Sequence, residues 1–141
     1  MGDAKRRLLW HGVFLFLLGL LTGLVGKQFA NARMGLSAHL EGVMNGILLL
    51  ALGSVWHEVR LPPACSRAAF WLLLCGAYSN WLVTTLAAVF GTGSMTPIAA
   101  AGRSAAVWQE MVVSVGFVAV AITILSATLL ILFGLRAKAK S

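Results

Sequence analysis

The chain has 141 residues, of which 60% are hydrophobic and only 11% charged, and its formal net charge is +7. Soluble domains are roughly half apolar and a quarter charged, so this balance excludes an ordinary soluble fold and points to one membrane domain. The basic excess does not indicate nucleic acid. Lys5, Arg6 and Arg7 open the chain and Arg136, Lys138 and Lys140 close it, where they flank apolar segments, and no basic stripe is interleaved with aromatics.

Four windows are long and apolar enough to cross a bilayer as helices, which takes about 20 residues. They cover residues 8–26, 37–56, 68–91 and 108–135, so the expected fold is an all-α, four-helix integral membrane bundle. The first window also has a basic start, and Ala30-Asn31-Ala32 resembles a signal cleavage site. Its apolar run exceeds the roughly 7–15 residues of a signal core, so it is read as a retained span.

With the N-terminus inside, one side collects Lys5, Arg6, Arg7, Arg60, Arg67, Arg136, Lys138 and Lys140, and the other only Lys27, Arg33 and Arg103. The positive-inside rule then puts both termini in the cytoplasm. Trp10, Trp56, Trp71 and Trp108 fall near span ends, where amphipathic rings anchor at the interface. Leu61-Pro62-Pro63 is expected to stop the second helix. The link from Thr92 to Val107 is rich in Gly, Ser and Ala and carries Pro97. It is expected to be a re-entrant or capping loop over a site. Cys65, in a short link, and Cys75, inside a span, read as reduced thiols.

Gly19-Leu20-Leu21-Thr22-Gly23 and Gly42-Val43-Met44-Asn45-Gly46 fit the small-xxx-small pattern of close helix packing. Bundle packing is the plain reading and a slot for a flat cofactor beside Gly42 and Gly46 the sharper one, and spacing alone does not separate them. The polar residues at membrane depth say more, because each costs several kcal/mol in lipid unless it is paired or used. His11 and His57 sit near span ends and read as interfacial anchors. His39 and Glu41 enter the second span, and Glu110 begins the fourth.

At about 100° per residue, His39, Gly42 and Gly46 share one face of the second helix. Glu41 and Asn45 pair at i and i+4 on another. On the third helix Gly76, Asn80 and Thr84 form a stripe flanked by Tyr78 and Trp81. No phosphate loop, CxxC or HExxH is present. One deep histidine is too few for zinc, but beside small residues it suits haem, which needs a single imidazole and a flat slot.

The stretch from Ala32 to Gly46, the segment Gly76-Ala77-Tyr78-Ser79-Asn80-Trp81, and the loop Gly93–Gly102 with Gln109-Glu110 after it together resemble the hydroxylaminobenzene mutases. The chain is similar, more distantly, to the styrene oxide isomerases, small four-helix membrane enzymes. The resemblance implies conversion of phenylhydroxylamine to 2-aminophenol in bacterial nitroarene degradation, hence a place in the bacterial inner membrane. It also implies a homotrimer with haem b between subunits. The relatives' H-x5-N-G motif maps onto His39 and Asn45-Gly46, making His39 the expected iron ligand beside Gly42 and Gly46.

Asn45 and Asn80 are then expected to orient the substrate, with Tyr78, Trp81 and Thr84 around it. Glu41 or Glu110 is expected to shuttle a proton, and ferric haem to act as Lewis acid. The more distant relatives carry an aspartate and a tyrosine where this chain has Gly76 and Thr84, so their acid–base details do not transfer. An epoxide isomerase of the same architecture and a non-catalytic haem-binding membrane subunit are the alternatives.

Overall fold

The computed structural model describes residues 2–136; Lys138 and Lys140, counted above towards orientation, lie outside the described residues. Four long helices carry the fold: α1 (Gly2–Val25), α2 (Ala32–Ser54), α3 (Pro63–Phe90) and α5 (Val107–Arg136), with a one-turn helix α4 (Pro97–Ala100) between the last two. All four long helices are apolar and long enough to span a membrane. Among the described residues no strand occurs.

Three helices begin five or six residues before the expected spans, α1 at Gly2, α2 at Ala32 and α3 at Pro63, and proline explains the early start of α3. α2 already ends at Ser54, followed by a 3-10 turn at Trp56–Glu58. Pro62 is the N-cap residue of α3 and Pro63 its first helical residue. At a helix start the missing N–H is no loss, so Leu61-Pro62-Pro63 begins the third helix and does not stop the second. Cys65 therefore lies in the first turn of α3, and both cysteines are free.

α1 and α2 run antiparallel along a seam of glycines. Gly12 faces Gly46 and Leu50, Gly19 faces Gly42 and Val43, and Gly26 faces Gly35. The seam is so close that a Cβ on Gly19 would stand 2.5 Å from the Val43 nitrogen. This corrects one expectation: the space beside Gly42 is filled by Gly19, and that beside Gly46 by Gly12 and Phe16. Neither glycine has room for a flat cofactor. Both serve close helix approach.

α3 packs antiparallel on the other side of α2, and α5 packs on α3. Gly76 receives Ile124, Gly116 receives Val83, and Gly134 receives Val59 and Leu61. The described ends, Gly2 and Arg136, thus lie at the same end of the bundle. Trp10, Trp71 and Trp108 are exposed, as anchors require. Trp56 is instead buried, edge-on to Phe70 at 6.2 Å, because the 3-10 turn folds it back into the core.

At the opposite end Asn31 is fully buried. Its Oδ1 accepts from the Arg33 and Met34 amides, capping α2, and its Nδ2 donates to the Ala99 carbonyl at 2.9 Å. The Asn31 backbone N–H donates to the Ala88 carbonyl at 3.0 Å. One side chain thereby ties the start of α2 to the 92–107 link, which caps this end of the bundle.

Gly19→Ala should destabilise the bundle by about 1–3 kcal/mol, since backbone and not a flexible side chain must yield to the new methyl. Leu125→Ala, on the exposed face of α5, should change it by less than about 0.5 kcal/mol. Equilibrium unfolding in detergent micelles checks both.

Candidate functional site: a carboxylate–amide cluster and a histidine groove

Two polar arrangements occupy opposite sides of α2. The first joins α2 to α3. Asn45 is one turn after Glu41 on α2, and its Nδ2 donates to the Glu41 carbonyl at 2.8 Å and to Glu41 Oε2 at 3.0 Å. From α3, Asn80 Nδ2 donates to the same Oε2 at 2.5 Å. Because both neighbours of Asn45 Nδ2 are acceptors, the amide orientation is fixed by its surroundings. Thr84 is buried one turn along α3 and donates to the Asn80 carbonyl at 2.8 Å. It supports the backbone that carries Asn80.

What the cluster leaves open is as informative as what it joins. Among the described residues no donor reaches Glu41 Oε1, Asn45 Oδ1 or Asn80 Oδ1. No buried side-chain oxygen lacks a partner either, so these three oxygens face accessible space. Among the described residues no lysine or arginine pairs with Glu41, and the one ion pair is His57 with Glu58.

The second arrangement faces α1. His39 Nδ1 lies 2.8 Å from the Gly19 carbonyl oxygen. A carbonyl only accepts, so Nδ1 carries the proton and Nε2 keeps the lone pair. Gly23 makes room for the ring, since a Cβ there would stand 2.7 Å from Nδ1. His39 borders a groove of about 870 Å³ between α1 and α2, with apolar walls from Leu20, Leu24 and Leu36 and with Lys27 and Arg33 also lining it. That volume lies within the roughly 300–1,000 Å³ of small-molecule and cofactor pockets.

The structure therefore brings Glu41, Asn45, Asn80 and Thr84 together and sets His39 apart. Tyr78 and Trp81 turn to α1. The Tyr78 hydroxyl is 3.0 Å from His11 Nδ1, and Trp81 Nε1 donates to Thr22 Oγ1 at 2.9 Å. His11 was read as an interfacial anchor, yet it pairs with Tyr78. Gly23, expected only to pack helices, and Lys27, counted only towards orientation, also border the groove beside His39; with Gly19 they recur every four residues along one face of α1.

Glu110 belongs to neither arrangement. Its Oε1 accepts from the Gly93 and Ala105 amides at 2.9 and 3.1 Å, and its Oε2 from the Ser94 amide at 3.0 Å. It clamps the link between α3 and α5, beyond the end of α3. Asn80 lies about 16 Å back along that helix at 1.5 Å per residue. Glu110 is thus a loop clamp and not a proton shuttle. Glu110→Gln should speed amide hydrogen exchange at Gly93, Ser94 and Ala105 by about tenfold or more, while Asn80 and its neighbours stay protected. Exchange read by mass spectrometry on peptides from the link checks this.

Residues 4–136 match the family model described as styrene oxide isomerase. A hydroxylaminobenzene mutase, HabB, of Ectopseudomonas oleovorans is 46% identical over 132 residues, covering 93% of this chain and 80% of that relative. HabA of the same organism, also a hydroxylaminobenzene mutase, is 41% identical over 125 residues, covering 88% of this chain and 93% of the relative. No solved structure matches. With nearly every described residue inside the match, the chain belongs to the styrene oxide isomerase family.

Proposed function

We propose that this membrane isomerase moves the hydroxyl group of an arylhydroxylamine from nitrogen to the ortho ring carbon, converting phenylhydroxylamine to 2-aminophenol. Both curated relatives are named for hydroxylaminobenzene, which supports that substrate. The observation that carries the reading is the Glu41–Asn45–Asn80 cluster, a carboxylate held by two amides inside the spans with one oxygen open.

The reaction is an isomerisation, so atoms and electrons balance within the substrate. The N–O bond breaks, a C–O bond forms at the ortho carbon, that carbon loses its hydrogen, and nitrogen gains one. Glu41 Oε1 takes the ortho proton and returns it to nitrogen, ending as it began. Asn45 and Asn80 hold Oε2 and so fix the direction of Oε1. The apolar spans exclude water, which favours return of oxygen to the ring over capture of an outside nucleophile.

Haem b is the proposed cofactor, and the groove beside His39 fits it. The Nδ1–H bond to Gly19 leaves Nε2 as the ligating nitrogen, the walls are apolar, and Lys27 and Arg33 line the same groove, where they suit the carboxylates of a porphyrin. When bound, ferric haem would supply a Lewis acid for the substrate's N–OH group. His39 and Glu41 lie about 200° apart around α2, and Glu41 does not line the groove. A ligand that meets both therefore sits between two copies of the chain, which supports a homo-oligomer, a trimer in this reading. The lysine and arginine asymmetry supports an inner-membrane protein with cytoplasmic ends.

Purified protein should show a Soret band that His39→Ala abolishes and Gly23→Ala shifts or weakens, because the new methyl displaces the ring. Phenylhydroxylamine should yield 2-aminophenol, with kcat lowered by about 10²–10⁴-fold in Glu41→Gln and retained in Glu110→Gln. A wild-type spectrum without a Soret band removes haem, and full turnover by Glu41→Gln removes the shuttle. Co-expressed His39→Ala and Glu41→Gln chains should regain activity that neither has alone; mixtures as inactive as their parents would place the whole site within one chain.

A further inference from the structure

The hydrogen-bonding polarity of the cluster has a consequence for which ligands it accepts. Asn45 uses both N–H groups on Glu41, one on its carbonyl and one on Oε2. Asn80 uses one N–H on the same Oε2. A primary amide has two N–H groups and one oxygen, so a single Asn80 N–H remains to donate. Against it stand three open oxygens, Glu41 Oε1, Asn45 Oδ1 and Asn80 Oδ1. Thr84 adds no donor, since its hydroxyl is used on the Asn80 carbonyl. The accessible face of the cluster is thus an acceptor surface.

We propose that this acceptor surface, with Glu41 at its centre, selects aromatic ligands that donate hydrogen bonds and rejects those that only accept them. The proposal rests on the cluster being the substrate site in the reading above, and it makes Glu41 a specificity-determining residue within this family. An arylhydroxylamine offers N–H and O–H donors. An aryl epoxide offers none, and seating its oxygen here would leave Oε1 unpaired after removing it from water. Sites that must hydrogen-bond their ligand discriminate strongly against analogues that lack the group, because the buried partner is left unsatisfied.

N-methylaniline and anisole separate polarity from size. They have the same shape, but the first places N–H where the second has an ether oxygen. Their dissociation constants would be measured on the full chain, purified and reconstituted in nanodiscs, by calorimetry corrected for partition into empty nanodiscs. In the wild type N-methylaniline should bind about tenfold or more tightly than anisole, the worth of one hydrogen bond. In Glu41→Gln, whose side-chain amide adds a donor, the preference should fall to within about twofold of parity or reverse.

Equal wild-type affinities, no binding of either ligand, or an unchanged preference in Glu41→Gln would each overturn the proposal. The wild-type comparison stands even where the variant fails to fold. No turnover is needed, so the two readings fail separately. A donor preference without conversion of phenylhydroxylamine sinks the proposed reaction alone, and conversion without a preference sinks the polarity proposal alone.

Discussion

The close approach of α1 and α2 along facing glycines is the constraint on which the rest of the bundle depends. In lipid there is no hydrophobic drive to bring two apolar helices together, so packing must supply it. Gly19 against Gly42 and Gly26 against Gly35 let the backbones touch. That contact also places function. The Gly19 carbonyl is near enough to accept from His39 Nδ1, and Gly23 leaves the volume the imidazole occupies. A wider seam would leave His39 without the bond that sets its tautomer.

α2 is central because each of the two helices that grip it meets one of its polar arrangements. α1 covers its glycine face, and α3 covers the face of Glu41 and Asn45. Trp81 links the two contacts, since its indole lies against Gly42 while its Nε1 donates to Thr22 on α1. α5 packs chiefly on α3 and leaves most of its own surface exposed, including Val115, Ile122 and Leu125. It is the most apolar of the spans, as a helix facing lipid or a further copy of the chain must be.

Properties that belong to one segment at a time were legible in the sequence. Apolar length marks the four spans, and i, i+4 spacing marks Glu41 with Asn45. What escaped depended on partners far along the chain or on backbone groups that carry no residue identity. The Tyr78 hydroxyl meets His11 from 67 positions away, so His11 read as an anchor. The donors to Glu110 are main-chain amides of Gly93, Ser94 and Ala105, and nothing in their side chains announces them. Gly42 fits both a packing seam and a cofactor slot by spacing, and only the position of α1 decides. Proline at 62 and 63 ends one helix or starts another with equal ease, until the 3-10 turn before it shows that α2 has already stopped.

The choice of partners for Glu41 bears on what the carboxylate can do. A lysine or arginine inside the span would neutralise it, and a paired ion in low dielectric is hard to separate. Among the described residues, the lysines and arginines sit towards the helix ends and in the links. Two amides do something different. They satisfy Oε2 and fix the side chain, yet they contribute no charge and leave Oε1 unpaired. Such a carboxylate is fixed in direction without being quenched, at the cost of an acceptor left open among apolar helices. Structure alone gains nothing from that open oxygen, because a hydrophobic residue would pack as well without the desolvation of a charge. An unpaired oxygen held in place by its neighbours makes sense when a ligand completes the hydrogen-bond set.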